Sequence, residues 1–256
     1  MSDAVLFEQQ EKVGILTINK PKANQLSHEV FEGFRTLLDS IEMNPEIRAL
    51  VITGSGEKIF CAGADLSSGF GDLGPVDFLK RGQDTWNKIE DFPKPVIAAL
   101  NGHALGGGCE LAMACHFRFM KNGGKIGLTE TNLGIMPGYG GTLRMPRLVG
   151  RAKALELMLT GRRVEADEAF AIGLVDRVCD EGKTLEDAVA FATQLAGRPP
   201  LSVKAILKIM SMSPDISPQQ HLKVEREELA RIFTSKDMME GMTAFAQKRE
   251  PVFVGE

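Results

Sequence analysis

Residues 13–53, VGILTINKPKANQLSHEVFEGFRTLLDSIEMNPEIRALVIT, decide the fold class, because two strand-like runs bracket one amphipathic helix. Val13 to Asn19 is an apolar, β-branched run that stops at Pro21. Ser27 stands where a helix cap is expected, and Val30, Phe34, Leu37, Leu38 and Ile41 then fall on one helical face. Asn44 and Pro45 end that helix. Arg48 to Thr53 is almost entirely apolar, as a strand covered on both faces is, and Gly54 and Gly56 close it. A strand, a helix and a second strand in this order need a crossover connection, which belongs to the α/β class.

The same alternation continues outward. A helix is expected over 76–91, and Pro93 and Pro95 lead into a strand at Val96 to Leu100. Beyond about Gly138 the spacing turns helical, with Arg151 to Thr160 and Glu165 to Ala171 ending near Gly161 and Gly173. Ser217-Pro218-Gln219-Gln220 carries a serine cap, a proline at the first helical position and a glutamine at the third. The chain therefore divides into an α/β core over residues 1–190 and a helical C-terminal subdomain over 191–256. No low-complexity linker lies between them, so the two are expected to pack together. The glycine-rich segment Ser67 to Gly74 reads as an irregular loop.

A chain of 256 residues can bury a core without a disulfide or a structural metal. Its formal charge of −4 supplies no global attraction for nucleic acid or an anionic membrane, so neither is expected as a partner. Cys61, Cys109, Cys115 and Cys179 form no CxxC pair and read as reduced thiols. No basic region followed by an apolar stretch opens the chain, and no apolar run reaches the length of a bilayer. The expected location is the cytoplasm.

Three clusters carry chemistry. Ile59 to Leu66 (IFCAGADL) puts small residues after a strand, where backbone can approach a ligand; alone it is only a tight turn. Asn101 to Ala114 (NGHALGGGCELAMA) places three glycines before a helix-forming run, and free N–H groups at a helix start can hold a developing oxyanion. It has neither GxGxxG spacing nor a GK[ST] ending, so dinucleotide and Walker-type phosphate loops are excluded. Gly127 to Thr142 holds Glu130 between an apolar strand end and a second glycine-rich turn. His103 and His116 lack metal-ligand spacing, so no metal site is expected. No GxSxG elbow occurs.

Taken together these clusters resemble the crotonase superfamily, and within it the enoyl-CoA hydratases, from VGILTINKPKANQL to FAQKREPVF. The resemblance implies a spiral of ββα turns with a helical C-terminal part, assembled as a homotrimer or a dimer of trimers. It implies that the backbone N–H groups of Ala64 and Gly107 hold a thioester oxyanion and that Glu110 and Glu130 are the catalytic pair. By the same resemblance Ala62, Ala64, Asp65 and Leu66 line the coenzyme A site. Phe245 and Lys248 reach the coenzyme A of a neighbouring subunit, and Pro137, Gly138 and Tyr139 border the acyl group. One departure is Ser67, which stands where some hydratases carry a lysine. No cofactor is implied, since coenzyme A is part of the substrate.

Hydrating a 2-enoyl thioester needs a base for water, a proton for C2 and donors for the thioester oxygen, and this set supplies all three. Glu110 is assigned to the water and Glu130 to C2. Isomerisation and thioester hydrolysis are the alternatives within the superfamily. An RNA-binding relative of the hydratases would need a basic helix, whereas acidic residues outnumber basic ones over 27–48.

Overall fold

The computed structural model describes residues 3–65, 74–212 and 215–256. Its chain winds in repeated turns of two strands and a helix; after the first, each turn gives one strand to a large sheet and one to a small sheet. The hairpin of β1 (Val5–Gln10) and β2 (Val13–Ile18) opens the large sheet and is followed by α1 (His28–Met43). The next turn is β3 (Ala49–Gly54), β4 (Ile59–Cys61) and α2 (Pro75–Glu90). It is followed by β5 (Val96–Leu100), β6 (His103–Leu105) and α3 (Gly107–Ala114). The last repeat is β7 (Phe117–Lys121), β8 (Lys125–Gly127), a single 3-10 turn (Glu130–Leu133) and α4 (Gly141–Val149).

After α5 (Arg151–Thr160), β9 (Val164–Glu165) and α6 (Ala166–Ala171), β10 (Arg177–Cys179) returns to the large sheet. The strand orders are β1-β2-β3-β5-β7-β10 and β4-β6-β8-β9. Every pairing is parallel except β1 with β2 and β8 with β9. This is the α/β class read from the residues, wound into the ββα spiral that the resemblance implies.

The period of two along a strand explains how the core is divided. Leu50 and Ile52 of β3 and Val96, Ala98 and Leu100 of β5 join the larger apolar cluster with α1, α2 and α3. Their alternates Ala49, Val51, Ile97 and Ala99 face the opposite side. There α7 (Thr184–Ala196) lays Ala188, Ala192 and Ala196, four residues apart, against the sheet. Residue 190 lies inside this helix. With both faces covered, β3 and β5 are buried at every position, which is why they read as unbroken apolar runs.

The chain ends in α8 (Pro200–Met210), α9 (Pro218–Ile232) and α10 (Lys236–Gln247). Ser217 caps α9 as expected, accepting from the Gln220 N–H at 3.2 Å. Ser27 does not do this for α1: it occupies the cap position, but its buried hydroxyl has no partner among the described residues. The far end of α1 is closed instead by Lys94, whose Nζ donates to the carbonyls of Ile41 and Asn44 at 2.6 and 2.7 Å. Among the described residues, no helix is long and apolar enough to cross a membrane.

Candidate active site

Because β4, β6 and β8 run parallel, their C-terminal ends open on one edge of the small sheet. The three segments that leave this edge are the three clusters singled out in the sequence. Ala62 to Asp65 is held by Ala62 N–H to Ala23 O (3.0 Å), Leu26 N–H to Gly63 O (2.9 Å) and Asp65 N–H to Leu26 O (3.0 Å). Gly106 N–H donates to Gly127 O at 2.9 Å and ties the second cluster to the third. Among the described residues, the N–H groups of Ala64 and Gly107 are donated to no protein acceptor.

Glycine is required where the turns meet. Gly63 has φ +93°, and a methyl group on it would lie 3.1 Å from the Gly107 nitrogen. A methyl on Gly108 would lie 2.2 Å from the Cys61 carbonyl oxygen. The backbones of the two turns are therefore in contact, and the free N–H of Gly107 lies at the positive end of α3.

Glu110 follows Gly107 by one helical turn and is 1 % exposed. Its Oε1 accepts from the N–H groups of Tyr139 at 2.8 Å and Gly141 at 2.7 Å, while Oε2 has no partner among the described residues. Glu130 opens the 3-10 turn after β8, with its Oε1 3.2 Å from where a methyl on Gly106 would sit. Its Oε2 is also buried and without a partner among the described residues. A buried carboxylate oxygen lacking a donor is costly, so two of them on one rim mark a place where a ligand or water belongs.

Burial raises the Glu110 carboxyl to about 7, and the charge of Glu130 adds to the rise; the Gly141 and Tyr139 amides and Arg144 oppose it. Burial raises Glu130 as well, against its own backbone N–H. The sign of the stability effect follows. Below the ordinary value of 4.5 both folded and unfolded chains hold the Glu110 proton and nothing is lost. Between 4.5 and about 7 only the unfolded chain ionises, so stability falls as pH rises, and above that the loss is complete. At about 1.4 kcal/mol per pH unit the window is worth about 3 kcal/mol. Chemical denaturation of Glu110→Gln and the parent at several pH values should show the variant gaining about that much across the window. A pH-independent difference would contradict the raised carboxyl.

The segment holding Glu110 is itself braced. Gly138 O accepts from Gln83 Nε2 at 2.8 Å, and Tyr139 O accepts from Arg144 Nη1 at 3.0 Å. The Tyr139 ring packs edge-on to Phe31, with centroids 5.5 Å apart. It also lies against α2 and the start of α3: methyl groups on Gly82 or Gly107 would stand 2.4 and 3.1 Å from its carbons. Pro137 and Tyr139 are buried and Gly138 is half-buried, so all three expected acyl-site residues line the same segment beside Glu110.

A family model described as enoyl-CoA hydratase/isomerase matches residues 8–256. The chain belongs to the enoyl-CoA hydratase/isomerase family. It is 41 % identical to a probable enoyl-CoA hydratase of Bacillus subtilis, covering 99 % of this chain and 100 % of the relative. It is 38 % identical to the crotonyl-CoA hydratase of Syntrophomonas wolfei, covering 98 % of both chains. Among solved structures, an enoyl-CoA hydratase from Bacillus anthracis superposes with a TM-score of 0.94 at 37 % identity, covering 99 % of this chain and 100 % of that one.

Against this family background, several expected residues stand apart from the rim. Phe245 is 84 % exposed on α10, and Lys248 is the left-handed residue that ends that helix. The tail after α10 is anchored by Asp237, which accepts from the Val254 and Gly255 N–H groups, and by Arg48, which donates to Phe253 O. Arg48 precedes β3, at the end of the large sheet where β3 begins. The structure thus does not bring Phe245 and Lys248 to this chain's own Glu110 and Glu130 through any described contact. Leu66 and Ser67 to Leu73 lie outside the described residues. His103 and His116 accept the Lys125 and Val96 N–H groups through Nδ1, which are structural bonds.

The sequence reading did not single out Gly63, Gln83, Glu90 or Arg144. A positive φ at Gly63 has no local signature beyond the glycine itself. Arg144 sits in GTLRMPRLV, where a cation in a helix ordinarily points to solvent; here it is 2 % exposed.

Proposed function

We propose that this protein catalyses the reversible addition of water across the 2,3 double bond of an enoyl-CoA thioester. The observation that carries the reading is a pair of buried carboxyls, each with a buried oxygen unpartnered among the described residues, beside two N–H groups likewise unpartnered among them. Ala64 and Gly107 would donate to the thioester oxygen as it becomes an enolate, which lowers the barrier where charge develops. Glu110 would take the proton of the attacking water and Glu130 would deliver one to C2. A carboxyl near 7 suits this work, since it gains and gives up a proton readily at neutral pH. The chemistry draws on no cofactor beyond the coenzyme A of the substrate.

Ala62, Asp65 and Leu66 are proposed to follow the coenzyme A chain as it leaves Ala64, with Pro137, Gly138 and Tyr139 bordering the acyl group. Phe245 and Lys248 are proposed to meet the coenzyme A of a neighbouring copy in a trimer or a dimer of trimers. Support comes from the C-terminal helices, where Leu222, Leu229, Phe233, Met239, Met242 and Phe245 are all exposed. A cytoplasmic location is proposed with the same reading.

The test is crotonyl-CoA, followed by loss of the conjugated-thioester absorbance and by mass spectrometry of the product. Gain of one water is expected. An unchanged mass with a moved double bond would make the protein an isomerase, and release of free coenzyme A would make it a hydrolase.

A further inference from the structure

We propose that Arg144 is a positioning residue for Glu110, its guanidinium locking the Tyr139–Gly140 turn whose flanking amides hold the carboxyl. The inference deepens the hydratase reading and rests on it for its kinetic arm. Arg144 lies in the first turn of α4, and helical side chains lean toward the N-terminus, so its fork reaches back over the turn that starts the helix. Nη1 donates to Tyr139 O at 3.0 Å, Nη2 to Asn87 Oδ1 at 2.6 Å, and Nε to Glu90 Oε2 at 2.9 Å. Nη2 also lies 2.7 Å from the same Glu90 oxygen.

The turn is shaped for this cation. Gly140 has φ +100°, and a methyl group there would lie 2.2 Å from Nη1, so the guanidinium rests directly on the glycine backbone. On either side of Gly140, the Tyr139 and Gly141 N–H groups converge on Glu110 Oε1. Those two bonds are the only ones the Glu110 carboxyl makes among the described residues, so the aim of Oε2 depends on where this turn is held. Arg144 touches no reacting atom; it acts through Glu110.

Among the described residues, the titratable groups that face Glu110 are Glu130 from the 3-10 turn, Tyr139 from the preceding loop, the Cys109 thiol on α3 and Arg144 on α4. Arg144 is the one cation of the set, and it favours the ionised carboxyl while burial and Glu130 oppose it. Removing it loosens the clamp and removes this charge together.

Two variants test the proposal, Arg144→Met and Arg144→Lys. The first readout needs no activity: the pH midpoint of the stability difference between a chain and its Glu110→Gln counterpart. In the Arg144→Met background the midpoint should rise by about half a pH unit or more. The second is steady-state hydration, where Arg144→Lys, which keeps the charge but not the fork, should lose about ten- to a hundredfold in kcat with KM little changed. A midpoint that stays put in Arg144→Met, or a wild-type kcat in Arg144→Lys, overturns the proposal. Should Arg144→Met fail to fold, the kcat and KM of Arg144→Lys decide. Should the parent not hydrate crotonyl-CoA, the hydratase reading fails while the midpoint still decides the positioning role.

Discussion

Glu130→Gln is expected to lose about 10²- to 10⁴-fold in kcat for crotonyl-CoA hydration, and Glu110→Gln as much, with the fold retained. Glutamine keeps the shape of each side chain, so the Tyr139 and Gly141 amides still find an acceptor at position 110. What disappears is the capacity to take or give a proton. The two carboxyls lie close enough for the charge of Glu130 to raise Glu110, and in the proposed reaction they serve one reacting group. The double variant should therefore be little worse than either single one, since residues working as a unit are strongly non-additive. Circular dichroism would confirm the fold, and near-normal turnover in either single variant would sink the pairing.

Gly63→Ala is expected to cost about 10²- to 10³-fold in kcat/KM, the usual price of losing one oxyanion donor. The added methyl would lie 3.0 Å from Leu105 O and 3.1 Å from the Gly107 nitrogen, at a residue whose φ is +93°. To make room, the neighbouring backbone must give by a few tenths of an ångström, which shifts the N–H groups at 64 and 107 relative to one another. The left-handed conformation adds a stability cost of about 1–3 kcal/mol. Gly56→Ala provides the comparison, since Gly56 also has a positive φ, +78°, but open space around it. It should lose similar stability and keep its activity. Equal kinetic losses in both variants would show that strain alone, not donor geometry, is responsible.

The elements legible in the sequence were the long ones. α1 and α2 repeat with a period of 3.6, and β2, β3 and β5 are apolar runs of five or six residues bounded by proline or glycine. The small sheet that builds the rim was not legible, because β4, β6 and β8 are three residues each and β9 only two. Their existence depends on partners about 22 to 44 residues away, parallel except for β9, which no local pattern records. The helix start at Gly107 could be read as an anion site from its glycines. Its contact with the Gly63 turn could not; that juxtaposition entered only through family resemblance. Ser27 shows the opposite error, a correct helix boundary with the wrong reason, because burial took its hydroxyl away from the helix end. Arg144 was hidden because a buried cation is recognisable only by its partners, and those lie on α2 and in the preceding loop.

The donors proposed at 64 and 107 belong to the main chain, and this has a genetic consequence. No codon change except one to proline deletes an amide hydrogen, so ordinary side-chain variation leaves both in place while the two carboxyls are each one mutation from loss. Drift on this scaffold would therefore change which reaction is performed sooner than which intermediate is held. Removing one donor cleanly calls for chemical synthesis: an ester in place of the amide preceding Gly107 would exchange its N–H for an oxygen and leave every side chain untouched.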